Sequence, residues 1–138
     1  MRLVLDTSAA ANIVLGTAAG LGLATVLEQA DWVIAPSLFH SEMGNTLWKS
    51  VRFGNLTQDT ALALYDDAVA LVDEFVADQP LMIQSIAAAV RHQHPVYDML
   101  FVTLAQRYGC CLLTTDQKLK ALAQRIDPAL CWIDPSSK

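Results

Sequence analysis

Short apolar runs that stop or start at a carboxylate place the strongest limit on how this chain can fold. Leu3-Val4-Leu5 stops at Asp6, and Leu112-Leu113-Thr114-Thr115 stops at Asp116. Asp98 opens the run Met99-Leu100-Phe101-Val102, and Glu42 lies inside the segment from Ser37 to Met43. A carboxylate beside buried surface is costly unless it is paired or binds a cation. Four such positions, far apart in sequence but each tied to a core element, can converge on one cation site.

The rest of the pattern alternates strands with helices. Residues 2–6 read as a buried strand, and Thr7 and Ser8 then offer capping hydroxyls to a helix over Ala9–Leu15. Gly16 to Gly22 reads as a loop before a helix over Leu23–Ala30. Trp32-Val33-Ile34-Ala35 is a second strand stopped by Pro36, and Ser37 starts a helix to Phe53, ended by Gly54-Asn55. Thr57 opens a helix whose apolar positions run Ala61, Leu64, Tyr65, Ala68, Val72, Phe75 and Val76. Its acids, Asp59, Asp66, Asp67, Asp73 and Glu74, form a solvated face. A short helix over Ile83–Arg91, a loop over His92–Pro95 and an amphipathic helix from Tyr97 to Tyr108 follow. Cys110–Thr114 is a third strand, Lys118–Arg125 a helix, and Cys131-Trp132-Ile133 a short final strand. This order implies an α/β structure with a mostly parallel sheet. Ligands of such sheets bind beyond the carboxyl ends of the strands, where Asp6 and Asp116 both fall.

Length and charge narrow the function. A chain of 138 residues suits one domain and a core without disulfide staples. It is 54% hydrophobic, yet no stretch approaches the roughly 20 apolar residues that span a bilayer. The N-terminus carries no signal-like apolar region before Asp6, so a cytoplasmic location is expected. Cys110, Cys111 and Cys131, an odd count without CxxC spacing, read as buried reduced thiols. A net charge of -5 with 9 basic residues argues against a broad nucleic-acid-binding surface. It remains compatible with a metal-dependent nuclease, because bound ions supply local positive charge.

A carboxylate cluster without His or Cys ligands suits Mg²⁺ or Mn²⁺ over Zn²⁺. Such ions activate water and neutralise charge at a phosphodiester. Thr7, Ser8, Thr114 and Thr115 flank two of the acids and can hydrogen-bond a carboxylate or a phosphate. Lys49 and Arg52 follow Glu42 on its helix, and Lys118 and Lys120 follow Asp116; these are the candidate phosphate contacts. His92 and His94 read as surface-loop residues, while His40 either touches substrate or packs. There is no nucleophile elbow and no phosphate-binding glycine loop.

Four segments resemble the acidic motifs of PIN-domain nucleases: Leu3-Val4-Leu5-Asp6-Thr7-Ser8, Ser41-Glu42, Val96-Tyr97-Asp98, and Leu112-Leu113-Thr114-Thr115-Asp116. The match is similar above all to VapC-type toxin ribonucleases of toxin–antitoxin operons. The stretch from Tyr97 to Ala105 is its most specific part. The resemblance implies a three-layer sandwich, a parallel central sheet flanked by helices, and Mg²⁺- or Mn²⁺-dependent cleavage of RNA. It implies Asp6, Glu42 and Asp98 as core metal ligands and catalytic residues, with Asp116 completing the site. Thr7, Ser8 and Thr115 would support them. It also implies an antitoxin partner covering an apolar groove near the acids. A homodimer is expected as well, because Leu38, Phe39, Leu47, Trp48 and Phe53 crowd one helix around Glu42. Two rivals stand beside this reading. One is a phosphohydrolase with Asp6 as nucleophile, although such enzymes want a second acid where this chain has Ser8. The other is a non-catalytic PIN-like interaction module.

Overall fold

Five short apolar segments assemble the centre of the molecule. A computed structural model describes residues 1–130 and 132–133. The strands are β1 (Arg2–Leu5), β2 (Trp32–Pro36), β3 (Glu74–Val76), β4 (Cys111–Leu113) and β5 (Trp132–Ile133). They form one parallel sheet in the order β3-β2-β1-β4-β5. The chain steps outward from β1 through β2 to β3, then crosses back to β4 and β5 on the other side. The order therefore reverses between β1 and β4, which is where open α/β sheets bind ligands.

Seven α-helices are described: α1 (Thr7–Val14), α2 (Ala18–Glu28), α3 (Leu38–Phe53), α4 (Gln58–Ala70), α5 (Met82–His92), α6 (Val96–Tyr108) and α7 (Gln117–Ile126). Alternation along β1 explains the two cores. Leu3 and Leu5 face a cluster built with Ala9, Ala10, Leu23, Phe39, Met43, Leu47 and Ala68, from α1 to α4. Val4 points the other way, with Ile34 and Leu112, into Leu100, Phe101, Leu104, Leu119 and Ala123 of α6 and α7. A strand buried on both faces reads as an unbroken apolar run, which is what Leu3-Val4-Leu5 is. The result is the expected three-layer sandwich.

The structure departs from the sequence expectations in three places. The helix opened by Thr57 ends at Ala70, and Glu74–Val76 is a strand instead of its last turn. Tertiary pairing decides this: Phe75 pairs with Ala35 in β2, and Asp73 Oδ2 accepts from the Val33 N–H at 2.8 Å. Asp73 is thus a strand-edge acceptor, not part of a solvated helix face. Second, α2 begins at Ala18, inside the expected loop. Thr17 caps it through its hydroxyl, which accepts from the Gly20 N–H at 3.0 Å. Gly20 is there for close approach: a Cβ would lie 2.0 Å from the Asn12 carbonyl oxygen of α1. Third, Cys110 is a buried free thiol as expected, but Cys111 is disulfide-bonded. Cys131, assigned to the last strand and to the reduced thiols, lies outside the described residues. No single helix among the described residues is long and apolar enough to cross a membrane.

Candidate active site

The β1–β4 pairing carries the first carboxylate to the switch point. Leu5 is in register with Leu113, and the Asp6 N–H donates to the Leu113 carbonyl at 3.0 Å. The ladder thus extends one residue before the chain turns into α1. Asp6 is only 5% exposed, so its carboxylate needs internal donors. Two hydroxyls supply them: Ser8 Oγ at 2.6 Å and Thr114 Oγ1 at 2.7 Å, both to Oδ2. Ser8 belongs to the first turn of α1, and Thr114 is the residue just past β4.

The other acids are held one by one. Glu42 sits in the second turn of α3, and its Oε1 accepts from Thr7 Oγ1 at 2.9 Å. Asp116 caps α7, its Oδ1 accepting from the N–H groups of Lys118 at 2.9 Å and Leu119 at 3.2 Å. Its own N–H donates to Thr114 Oγ1 at 3.0 Å, which couples the Asp6 and Asp116 loops. Asp98 lies in the first turn of α6 and pairs through Oδ2 with His94 Nε2 at 2.6 Å.

All four acids line one cleft of about 280 Å³, together with Thr7, Ser8 and three residues of α3: Asn45, Thr46 and Lys49. Helical spacing accounts for the last three, since Asn45, Thr46 and Lys49 lie three, four and seven residues beyond Glu42. The electrostatics follow from the crowding. Burial pushes Asp6 above the usual carboxylate range; the Ser8 and Thr114 hydrogen bonds oppose it, and the charges of Asp98 and Asp116 add to it. Burial likewise pushes Glu42 up to about 7, opposed by Thr7 and assisted by Asp6, Asp98 and Asp78. Among the described residues, no three His, Cys, Asp or Glu side chains converge tightly enough to ligate one ion by themselves.

The remaining candidates divide. Thr114, not Thr115, is the hydroxyl that touches Asp6; the Thr115 N–H donates to Ser8 Oγ at 3.3 Å. Lys49 reaches the cleft. Arg52 lies over the ring of Phe53 instead, 5.1 Å from its centroid, and Arg52 and Lys118 are both absent from the cleft wall. His40 packs: its Nδ1 is 2.7 Å from the Tyr65 hydroxyl and its ring lies against Phe75. Sequence reasoning missed Asn45, Thr46 and the contact of His94. The i+3, i+4 and i+7 spacing from Glu42 was the available signal for α3. The i, i+4 spacing was the signal for His94 and Asp98.

Comparison with known proteins bears on the family and the fold. The sequence model of the PIN domain matches residues 3–125. Ribonuclease VapC3 of Pyrobaculum aerophilum is 31% identical over 123 residues, which cover 86% of this chain and 92% of the relative. In three dimensions the chain is similar to PAE2754 of the same organism, with TM-score 0.72, 21% identity, and coverage of 88% of this chain and 79% of that one. It is also similar to VapBC2 of Rickettsia felis bound to a DNA fragment from their promoter, with TM-score 0.65, 13% identity, and coverage of 96% and 98%. At such identities the two structures establish the fold alone.

The raised Glu42 carboxyl has a measurable consequence. Between its ordinary value of 4.5 and about 7, the folded metal-free chain holds a proton that the unfolded chain has released. Stability therefore falls as pH rises through that window. Glu42→Gln keeps an acceptor for Thr7 and removes the titration. The variant should be more stable than the parent above neutrality, by about 1 kcal/mol after discounting for partial exposure. The gap should close toward acid pH. Urea unfolding in chelator at several pH values checks this; a variant less stable than the parent above neutrality contradicts it.

Proposed function

The chain belongs to the PIN-domain family and is a relative of the VapC ribonucleases, and from that premise we propose that it is a Mg²⁺- or Mn²⁺-dependent endoribonuclease acting on single-stranded RNA, the toxin of a toxin–antitoxin pair. One observation carries the reading: four carboxylates from four separate elements line a single cleft at the carboxyl edge of a parallel sheet. Two of them are pushed up by burial and by their neighbours' charge. A cluster so disfavoured without a counter-charge is suited to a bound cation.

The donor set fits a hard ion. Every acid in the cleft presents oxygen, and each has one oxygen committed to a protein donor: Asp6 to Ser8 and Thr114, Glu42 to Thr7, Asp98 to His94, Asp116 to the start of α7. Mg²⁺ takes one or two carboxylates and fills its remaining positions with water, so the lack of a closed three-ligand cage suits it. Asp6, Glu42 and Asp98 would hold the ion, some of them through its waters, with Asp116 at the rim. When bound, such an ion activates water for attack and neutralises charge at the phosphodiester. The hydroxyls of Thr7, Ser8 and Thr114 fix the carboxylates in place. Lys49, on the α3 wall, offers the positive charge that attracts a phosphate to an otherwise negative cleft. The phosphohydrolase reading is weaker, because Asp6 Oδ2 is already taken by two hydroxyls and Ser8 stands where a second acid is wanted.

Partners follow from exposed apolar surface. An apolar groove of about 360 Å³ lies between α3 and α4, lined by Leu47, Trp48, Val51, Ala61, Leu62 and Tyr65. Trp48 is 54% and Leu62 59% exposed. It shares α3 with Glu42 and would take an apolar segment of the antitoxin. A second exposed stripe, Ile83, Ile86 and Val90, runs along α5 at helical spacing and suits a homodimer. In this reading the dimer contact is assigned to α5, and the α3 groove is left to the antitoxin.

Two outcomes are expected. Cleavage of single-stranded RNA should require Mg²⁺ or Mn²⁺, and Asp98→Asn should lower it by roughly 10²-fold or more while the fold survives. Unchanged cleavage in excess chelator or in the variant would sink the mechanism. Sedimentation at micromolar concentration should give a dimer that Val90→Asp converts to monomer; a parent chain that is already monomeric refutes the α5 contact.

A further inference from the structure

We propose that His94 is a positioning residue that holds the Asp98 carboxylate toward the cleft and so sets the affinity of the site for a divalent cation. The inference rests on the cation-dependent reading above and extends it to a residue outside the four acids.

The backbone pins His94 from both sides. Gln93 ends α5 in the left-handed region at φ 53°, and the His94 N–H donates to the Ala89 carbonyl at 3.1 Å, closing that helix. Pro95 follows at once and caps α6. The connector between the helices therefore has little freedom, and it delivers the imidazole to Asp98. Nε2 lies 2.6 Å from Oδ2, with the two side chains 23% and 28% exposed. An ionised carboxylate only accepts, so the ring N–H donates.

Two of the other acids show what such a bond does. Asp6 and Glu42 each have one oxygen fixed by hydroxyl donors from the protein. Asp98 has no hydroxyl neighbour of this kind among the described hydrogen bonds; His94 is the donor in its place. Asp98 also sits in a first helical turn, and its side chain is partly open to solvent. Without the imidazole its carboxylate can rotate toward solvent. Groups that orient ligands in this way strongly influence metal affinity.

The alternative is an i, i+4 pair that only steadies the start of α6. Mn²⁺ titration followed by electron paramagnetic resonance separates the two, with the parent chain, His94→Gln and His94→Leu each confirmed folded by circular dichroism without metal. His94→Gln keeps an N–H donor of similar reach. The expected result is Mn²⁺ binding weakened roughly 10- to 100-fold in His94→Leu and largely recovered in His94→Gln. Should His94→Leu not fold, His94→Asn, whose amide is too short to reach, replaces it. Binding by His94→Leu equal to the parent's overturns the proposal while leaving the cation site standing, as does His94→Gln binding as weakly as His94→Leu. A parent chain that binds no Mn²⁺ overturns the cation reading itself, and this proposal with it.

Discussion

Burial of the Asp6 carboxylate at the end of β1 is the constraint around which the site is arranged. The main chain there is committed to the sheet, since the Asp6 N–H completes the pairing with β4. The side chain cannot retreat to solvent, because Leu3, Val4 and Leu5 on one side and the start of α1 on the other fix its direction. A buried ionised carboxylate must find donors, and the first turn of α1 and the turn after β4 provide them as hydroxyls. Ser8 and Thr114 meet at Asp6 Oδ2, and they also lie 3.2 Å from one another. One acid thereby draws the ends of β1 and β4 together.

That junction determines where the other acids fall. Thr114 holds the Asp116 N–H, so the α7 cap is tied to the same point. Thr7, one residue beyond Asp6, donates to Glu42 and fixes α3 against the start of α1. Asp98 comes from the most deeply buried helix, in which Met99 to Ala105 are all buried. The cluster is therefore a by-product of core packing: four elements that must pack for apolar reasons present their acids to one edge. The cost is burial first and repulsion among the acids second, and together they displace Asp6 and Glu42 upward. A fold that tolerates such repulsion is suited to a counter-ion.

Much of this was legible in the sequence because each acid interrupts an apolar run. Asp6 directly follows one apolar strand and Asp116 lies shortly past another, so their positions beyond the strand ends followed from the pattern alone. What escaped was set by tertiary contact. Val72, Phe75 and Val76 continue the helical spacing of α4, and only pairing with β2 makes a strand of the last two. Glycine at position 20 looked like a loop signal, but it serves close helix packing against Asn12. Thr114 and Thr115 are equivalent in sequence; the turn after β4 decides that the first hydroxyl donates to Asp6. The partnership of His94 with Asp98 crosses a loop–helix boundary, and it depends on the left-handed turn at Gln93.

The central claim is that the four acids share one cation. Anomalous diffraction from crystals soaked in Mn²⁺ tests it most directly. The account predicts an anomalous peak inside the cleft, within ligating distance of carboxylate oxygens from at least two of Asp6, Glu42, Asp98 and Asp116. A cleft without such a peak, in a crystal whose Mn²⁺ sites lie elsewhere on the molecule, would contradict it.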